Sequence, residues 1–162
     1  MIIFNFDVIA NPGPDVMSRQ PNAEGKFLWR AFHAVTGGNM AIVCDEEYPP
    51  FFFESWLLRE RFKASTYQFL ETKDPTAKAE KVHLFSNTFG RANWYVDTDP
   101  RTVALTISKG IPSLLMGAPY TIRPEWETEK PITPWAELVE EADRQNLRRA
   151  QKSWSNWNED DV

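Results

Sequence analysis

The sequence predicts an α/β domain built on a five-stranded parallel sheet, and three observations predict it. Five short apolar runs recur along the chain, and segments of helical period lie between them. Three of the runs, the first, second and fifth, are almost continuous in apolar residues, as strands become when helices cover both faces of a sheet. A length of 162 residues suits one domain with a substantial core.

Each element has its own warrant. Ile2 to Val8 is the first strand. It runs into Asn11 to Asn22, a segment with three prolines that reads as a loop overhanging the carboxyl edge of the sheet, where open α/β folds bind ligands. Leu28, Ala31, Phe32 and Val35 fall at i, i+3, i+4 and i+7 and form the stripe of a first helix, which Gly37 and Gly38 end. Met40 to Cys44 is the second strand. Phe52, Phe53, Trp56 and Leu57 repeat the helical spacing, and Arg59, Glu60 and Arg61 begin that helix's solvated end. Thr66 to Leu70 is the third strand. Asp74-Pro75 and Asp99-Pro100 each set a capping carboxylate before a proline suited to the first helical position, so both mark helix starts. The fourth strand, Asn93 to Asp97, lies between those two helices. Lys109 and Gly110 stop the second of them ahead of a fifth strand, Ser113 to Met116. After an irregular stretch, Ala118 to Ile132, Thr133-Pro134 opens a last helix to about Lys152, with Trp135, Leu138, Val139 and Ala142 as its stripe. The domain is expected over residues 1–152, followed by an acidic tail, 153–162, that frays.

Composition removes several function classes. A net charge of −5 without a basic stripe argues against nucleic acid as the main partner, since cationic side chains supply most of that affinity. The single cysteine, Cys44, excludes an intrachain disulfide, and His33 and His83 add too few soft ligands for structural zinc. No run approaches the ~20 apolar residues that span a bilayer, and MIIFNFDVIA lacks a cationic leader. A soluble, cytoplasmic protein without a membrane partner is expected. There is no Gly-rich phosphate loop and no Gly-x-Ser-x-Gly elbow.

The chemistry-bearing residues sit at strand ends. Asp7 closes the first strand, Asp45, Glu46 and Glu47 follow the second, and Asp97 and Asp99 close the fourth. In a parallel sheet these ends share one edge, where carboxylates could hold a hard cation such as Mg²⁺. Asp99 reads as a helix cap, and Glu46 and Glu47 as a solvated turn. Asp7 and Asp97 are therefore the candidate ligands. Cys44, at the end of an apolar strand beside carboxylates, reads as a buried and inert thiol rather than a nucleophile. His33 and His83 read as structural or surface residues. Of the seven tryptophans, Trp126, Trp154 and Trp157 stand in segments of doubtful burial, where they would either form a protein interface or pack the C-terminal segment onto the domain.

In this order and spacing the motifs resemble the haloacid-dehalogenase-like superfamily of phosphatases and phosphotransferases. Ile2-Ile3-Phe4-Asn5-Phe6-Asp7 lies in the frame of its strand followed by Asp-x-Asp. Met40-Ala41-Ile42-Val43-Cys44 matches the strand ending in Thr or Ser. Lys81, with Lys78 as the fallback, matches the family lysine near a helix start, and Trp94-Tyr95-Val96-Asp97-Thr98-Asp99 matches the strand ending in an acidic pair. The likeness covers Met1 to about Ala118, and Arg123-Pro124-Glu125-Trp126 with Pro134-Trp135 is similar to small phage-encoded members. The resemblance implies a three-layer Rossmann-like sheet of strand order 3-2-1-4-5 without a large cap domain. It also implies Mg²⁺ as a possible cofactor, and catalytic positions at Asn5, Asp7, Cys44 and Lys81.

Departures from the family pattern shape the functional expectation. Asn5 holds the position of the nucleophilic aspartate, and a neutral amide is a very poor nucleophile. Asp7 matches the family's general acid and base. Cys44 replaces the hydroxyl that orients the phosphoryl group, and a thiol is a weak donor. Val8-Ile9 replace Gly-Thr, and Asp45-Glu46-Glu47 would repel a phosphate. The expectation is a catalytically impaired member that works by binding a host or phage protein or a phosphorylated small molecule, and the resemblance implies a phage accessory role against a host process. Alternatives are an Mg²⁺-dependent phosphatase or nucleotidase using Asp7 and Asp97, a structural interaction module, and nucleic-acid end processing, which the acidic charge disfavours.

Overall fold

A computed structural model describes residues 1–117 together with Val139, Glu140, Asp143, Arg144 and Leu147. Its elements are β1 (Ile2–Asn5), α1 (Phe6–Ile9), α2 (Ala23–Thr36), β2 (Met40–Cys44), α3 (Pro50–Glu60), β3 (Thr66–Phe69), α4 (Pro75–Phe89), β4 (Trp94–Asp97), α5 (Pro100–Ser108) and β5 (Ser113–Leu115). The five strands form one sheet in the order β3-β2-β1-β4-β5, and every pairing is parallel. This is the expected three-layer α/β fold, without a large cap among the described residues.

Alternation along β1 divides the core. Ile2 and Phe4 join Met40, Ile42 and Val96 beneath Trp29 of α2 and Phe53, Trp56 and Leu57 of α3. On the other face Ile3 joins Ala41, Val43 and Tyr95 beneath Val82 and Phe85 of α4. The first face is largely aromatic. Phe6 meets Phe53 and Trp56 edge-on at 5.1 and 5.0 Å between ring centroids, and Trp56 stacks on Phe62.

Helix starts follow the caps read from sequence. Asp74 accepts from the Ala77 N–H, and Asp99 accepts from the N–H groups of Arg101 and Thr102. Two expectations are corrected. The first strand ends at Asn5 rather than Val8, because the Asn5 side chain accepts the Asp7 N–H and caps the helical turn α1. Val8 and Ile9 are buried in that turn, so their apolar character fits either conformation. The α2 stripe is also rotated: Gly25 and Trp29 are its buried residues, Leu28 and Phe32 are partly buried, and Val35 is 85% exposed. Gly25 sets that rotation. A Cβ there would stand 1.9 Å from the Val8 carbonyl oxygen, so only glycine lets α2 lie directly on α1.

The segment between α1 and α2 returns on itself. Ala10 and Pro21 make an antiparallel bridge, and Asn11 and Asn22 exchange backbone bonds with Gln20 and Ile9. The expected last helix, Thr133 to Lys152, lies outside the described residues except for the five named above, which are helical; Arg101 reaches one of them, Asp143, at 2.9 Å. Trp126, Trp154, Trp157 and the tail 153–162 lie outside the described residues.

Candidate functional site

The carboxyl ends of β1, β2 and β4 lie at one edge of the sheet, where β1 and β4 end in Asn5 and Asp97 and Asp45 directly follows β2. Asn5 ends β1. It is fully buried, and its carboxamide is committed twice: Nδ2 donates to Asp45 Oδ1 at 2.6 Å, while Oδ1 accepts the Asp7 N–H at 2.8 Å. Asp97 ends β4 and is also fully buried. Its Oδ1 accepts the N–H groups of Thr98 and Asp99, and its Oδ2 accepts the Tyr95 hydroxyl and the Lys78 ammonium. Those contacts fill the acceptor capacity of a carboxylate.

Lys78, from the first turn of α4, connects the two halves of the site. Its Nζ lies 2.8 Å from Asp97 Oδ2 and 2.8 Å from Asp45 Oδ2. One ammonium therefore serves a fully buried carboxylate, Asp97, and a partly buried one, Asp45. Burial opposes the Lys78 charge, but the paired anions outweigh it and raise its pKa. Asp45 carries the residual strain. Burial, reinforced by the charges of Asp97 and Asp7, outweighs the pull of Lys78 and lifts its pKa to about 6. The Cys44 thiol, fully buried at the end of β2, is pushed well up by burial and then by the charge of Asp7. It is not a thiolate near neutrality.

Outside this buried cluster a cleft of about 320 Å³ opens between the loop 11–22 and the turn after β2. Asp7, Asp45, Glu46, Tyr48, Lys73 and Thr98 line it together with Arg19. Arg19 is the organiser. It forms an ion pair with Asp7, donates to Tyr48 Oη at 3.0 Å and to the carbonyls of Asn11 and Ala10 at 2.7 and 3.3 Å, and lies over the Phe6 ring. Its own carbonyl accepts the Trp56 indole N–H at 2.7 Å. The second cation, Lys73, is paired with Glu46, whose pKa is lowered chiefly by that hydrogen bond.

The residues singled out in the sequence are thus partly assembled. Asn5, Asp7, Cys44 and Asp97 lie at one edge, as expected. Lys78 rather than Lys81 reaches the strand-end carboxylates, and Lys81 Nζ instead donates to the Leu70 carbonyl. Asp45 is the second carboxylate paired with Lys78, where sequence reasoning saw one of several strand-end carboxylates and a turn that would repel phosphate. Arg19, Tyr48 and Tyr95 went unnoticed. Nothing periodic marks Arg19 in its proline-rich loop, whereas Lys78, the fallback, could have been preferred to Lys81, because it shares the buried stripe of Ala79, Val82, Phe85 and Ser86 and Lys81 does not.

Whether these residues suit Mg²⁺ follows from their lone pairs. Asp97 has none to spare, Asp7 is held by Arg19, and Asp45 is held by Asn5 and Lys78. Among the described residues no three His, Cys, Asp or Glu side chains are grouped to hold a metal ion. In this arrangement Asp7 and Asp97 do not fit a shared cation. No protein-family model matches the chain, and no curated protein matches it.

Proposed function

We propose that this chain is a non-hydrolytic scaffold resembling the haloacid-dehalogenase-like fold, and that it acts by binding a partner protein. One observation carries the reading: the residue in the nucleophile position is a buried carboxamide whose two ends are bonded to Asp45 and to the backbone of Asp7. Such a group neither attacks phosphorus nor is free to swing toward a substrate.

The same geometry separates the two kinds of ligand. A phosphate ester needs cations or N–H donors turned toward the cleft. Here Lys78 is enclosed between carboxylates, Arg19 spends its donors on the loop and Asp7, and Lys73 is paired with Glu46. Three and four residues after Tyr48 of the cleft, the first turn of α3 carries Phe51 and Phe52, 73% and 48% exposed, their ring centroids 5.6 Å apart. Such a pair of exposed aromatic side chains suits a protein surface better than a phosphorylated metabolite.

The test is purification at native abundance with mass spectrometry of co-purifying proteins and released small molecules, alongside phosphate-release assays on aryl phosphates with Mg²⁺. A protein whose recovery drops when Phe51 and Phe52 are replaced by serine supports the reading. Turnover that survives repeated purification and disappears with Asp7→Asn would instead establish the phosphatase alternative.

A further inference from the structure

We propose that the chain's own residues 118–138 dock on an apolar trough of the first sheet face, between one flank of α2 and the strands β4 and β5. Right-handed crossovers leave that part of the face without any of the helices α1 to α5. α2 sits over β1, where Trp29 and Phe32 meet Phe4 at 5.1 and 6.0 Å between ring centroids, and α3 sits over β3, where Phe53 meets Tyr67 and Phe69. α4 and α5 pack on the opposite face: Val82 and Phe85 join the cluster of Ile3 and Tyr95, and Thr106 bonds to Ser113, the neighbour of Tyr95 in register. Yet β4 and β5 also turn side chains to the first face. Register sets Trp94 and Val96 beside Ile2 and Phe4, and Leu114 beside Val96. Trp94 is 38% exposed, and Leu114 and Met116 are only partly buried.

α2 supplies the other wall. Lys26 reaches Glu60 of α3 and Trp29 meets Phe62, so that flank of the helix turns to α3. Leu28, Ala31 and Val35 fall on the opposite flank. They belong to the apolar stripe marked in the sequence, yet Ala31 and Val35 are exposed. At the carboxyl edge of the sheet the trough deepens into a groove of about 400 Å³ lined by Ala23, Glu24, Phe27, Leu28 and Met116. Phe27 there is 76% exposed.

Connectivity selects the occupant. Met116 is itself a wall of the groove, and the chain passes from it through Gly117 into residue 118. The other end of the segment is held at the same edge, since Asp143 Oδ2 lies 2.9 Å from Arg101 in the first turn of α5. Residues 118–138 are thus tethered at both ends, at an effective concentration on the order of millimolar that a second copy or a foreign chain must exceed. Their composition matches the trough: Tyr120, Ile122, Trp126, Ile132 and Trp135 supply large apolar and aromatic side chains, and Arg123 supplies a cation for Glu24 at the groove.

Hydroxyl-radical footprinting of the full chain, read by mass spectrometry, tests this. Phe27, Val35 and Met116 are expected to be labelled slowly in the wild type and several-fold faster in the Ile122→Ser, Trp126→Ser double variant. Reciprocally, Phe27→Asp with Val35→Asp is expected to speed amide hydrogen exchange within 118–138 about tenfold or more. Phe27 and Val35 stand outside both buried clusters, so that variant is expected to fold, which circular dichroism checks. Rapid labelling of Phe27 and Val35 in the wild type, slow labelling that sets in only as protein concentration rises, or exchange in 118–138 that the α2 substitutions leave unchanged would overturn the proposal.

Discussion

Lys78 and Asp97 form an ion pair at 2.8 Å in which both side chains are essentially sealed from solvent, 3% and 1% exposed. Removing one partner of such a pair strands the other in a low-dielectric site. Lys78→Met is therefore expected to destabilise the fold by about 3–5 kcal/mol, since it strands Asp97 and Asp45 together. Urea denaturation measures it. A loss under about 1 kcal/mol would show that the carboxylates find other partners, because exposed pairs are worth no more than that.

Asn5→Asp asks how far the site has moved from hydrolysis. The new carboxylate would stand within hydrogen-bond distance of Asp45 Oδ1, where Asn5 now donates at 2.6 Å. Two buried carboxylates that close share a proton rather than both ionising. The variant is expected to be less stable than wild type at pH 8, to recover toward pH 5, and to release phosphate far more slowly than about 1 s⁻¹, the low end of ordinary enzymatic turnover. Restored turnover at ordinary rates would show that the rest of a phosphoryl-transfer site is intact.

Asp45 gives the fold a pH dependence of defined sign. Its pKa rises from 3.8 to about 6, so its contribution to stability is fully present below the lower value and is lost as pH rises through the upper one. Stability is expected to fall by as much as roughly 3 kcal/mol between pH 4 and pH 7 from this group. Asp45→Asn is expected to flatten that fall, read as the difference in urea midpoint between the two pH values. A wild-type midpoint that rises across this range while Asp45→Asn leaves the slope unchanged would contradict the assignment.

Local signals carried most of the fold. Asp74-Pro75 and Asp99-Pro100 placed two helix starts, and apolar runs placed the strands, because capping and side-chain alternation act over a few residues. What escaped was set by contacts between distant segments. The end of β1 at Asn5 and the rotation of α2 both depend on a helical turn packed against Gly25, and no local pattern distinguishes a buried turn from a buried strand. At the site, the gathering of Asn5, Asp7, Cys44 and Asp97 followed from the parallel sheet. The partners that neutralise those residues did not: Arg19 arrives from a loop, and Lys78 was one helical turn from the lysine that the family pattern favoured.

Arg19 holds the loop 11–22 in place, and its replacement separates charge from geometry. Its partner Asp7 is 44% exposed, so water can solvate that carboxylate if the pair is lost. The Ala10 and Asn11 carbonyls and the Tyr48 hydroxyl are bound by the planar fork of the guanidinium, in a position where Trp56 fixes the Arg19 backbone. Arg19→Met removes every bond of the guanidinium, leaving the Trp56 bond to the backbone, and is expected to cost about 2–4 kcal/mol. Arg19→Lys keeps the charge but cannot span Asp7, Tyr48 and two carbonyls at once, so it is expected to recover less than half of that loss. Because the bonds converge on the loop, proteolysis within residues 11–22 should accelerate more than global unfolding in both variants. A lysine variant as stable and as protease-resistant as wild type would mean that Arg19 acts only as a counter-charge to Asp7.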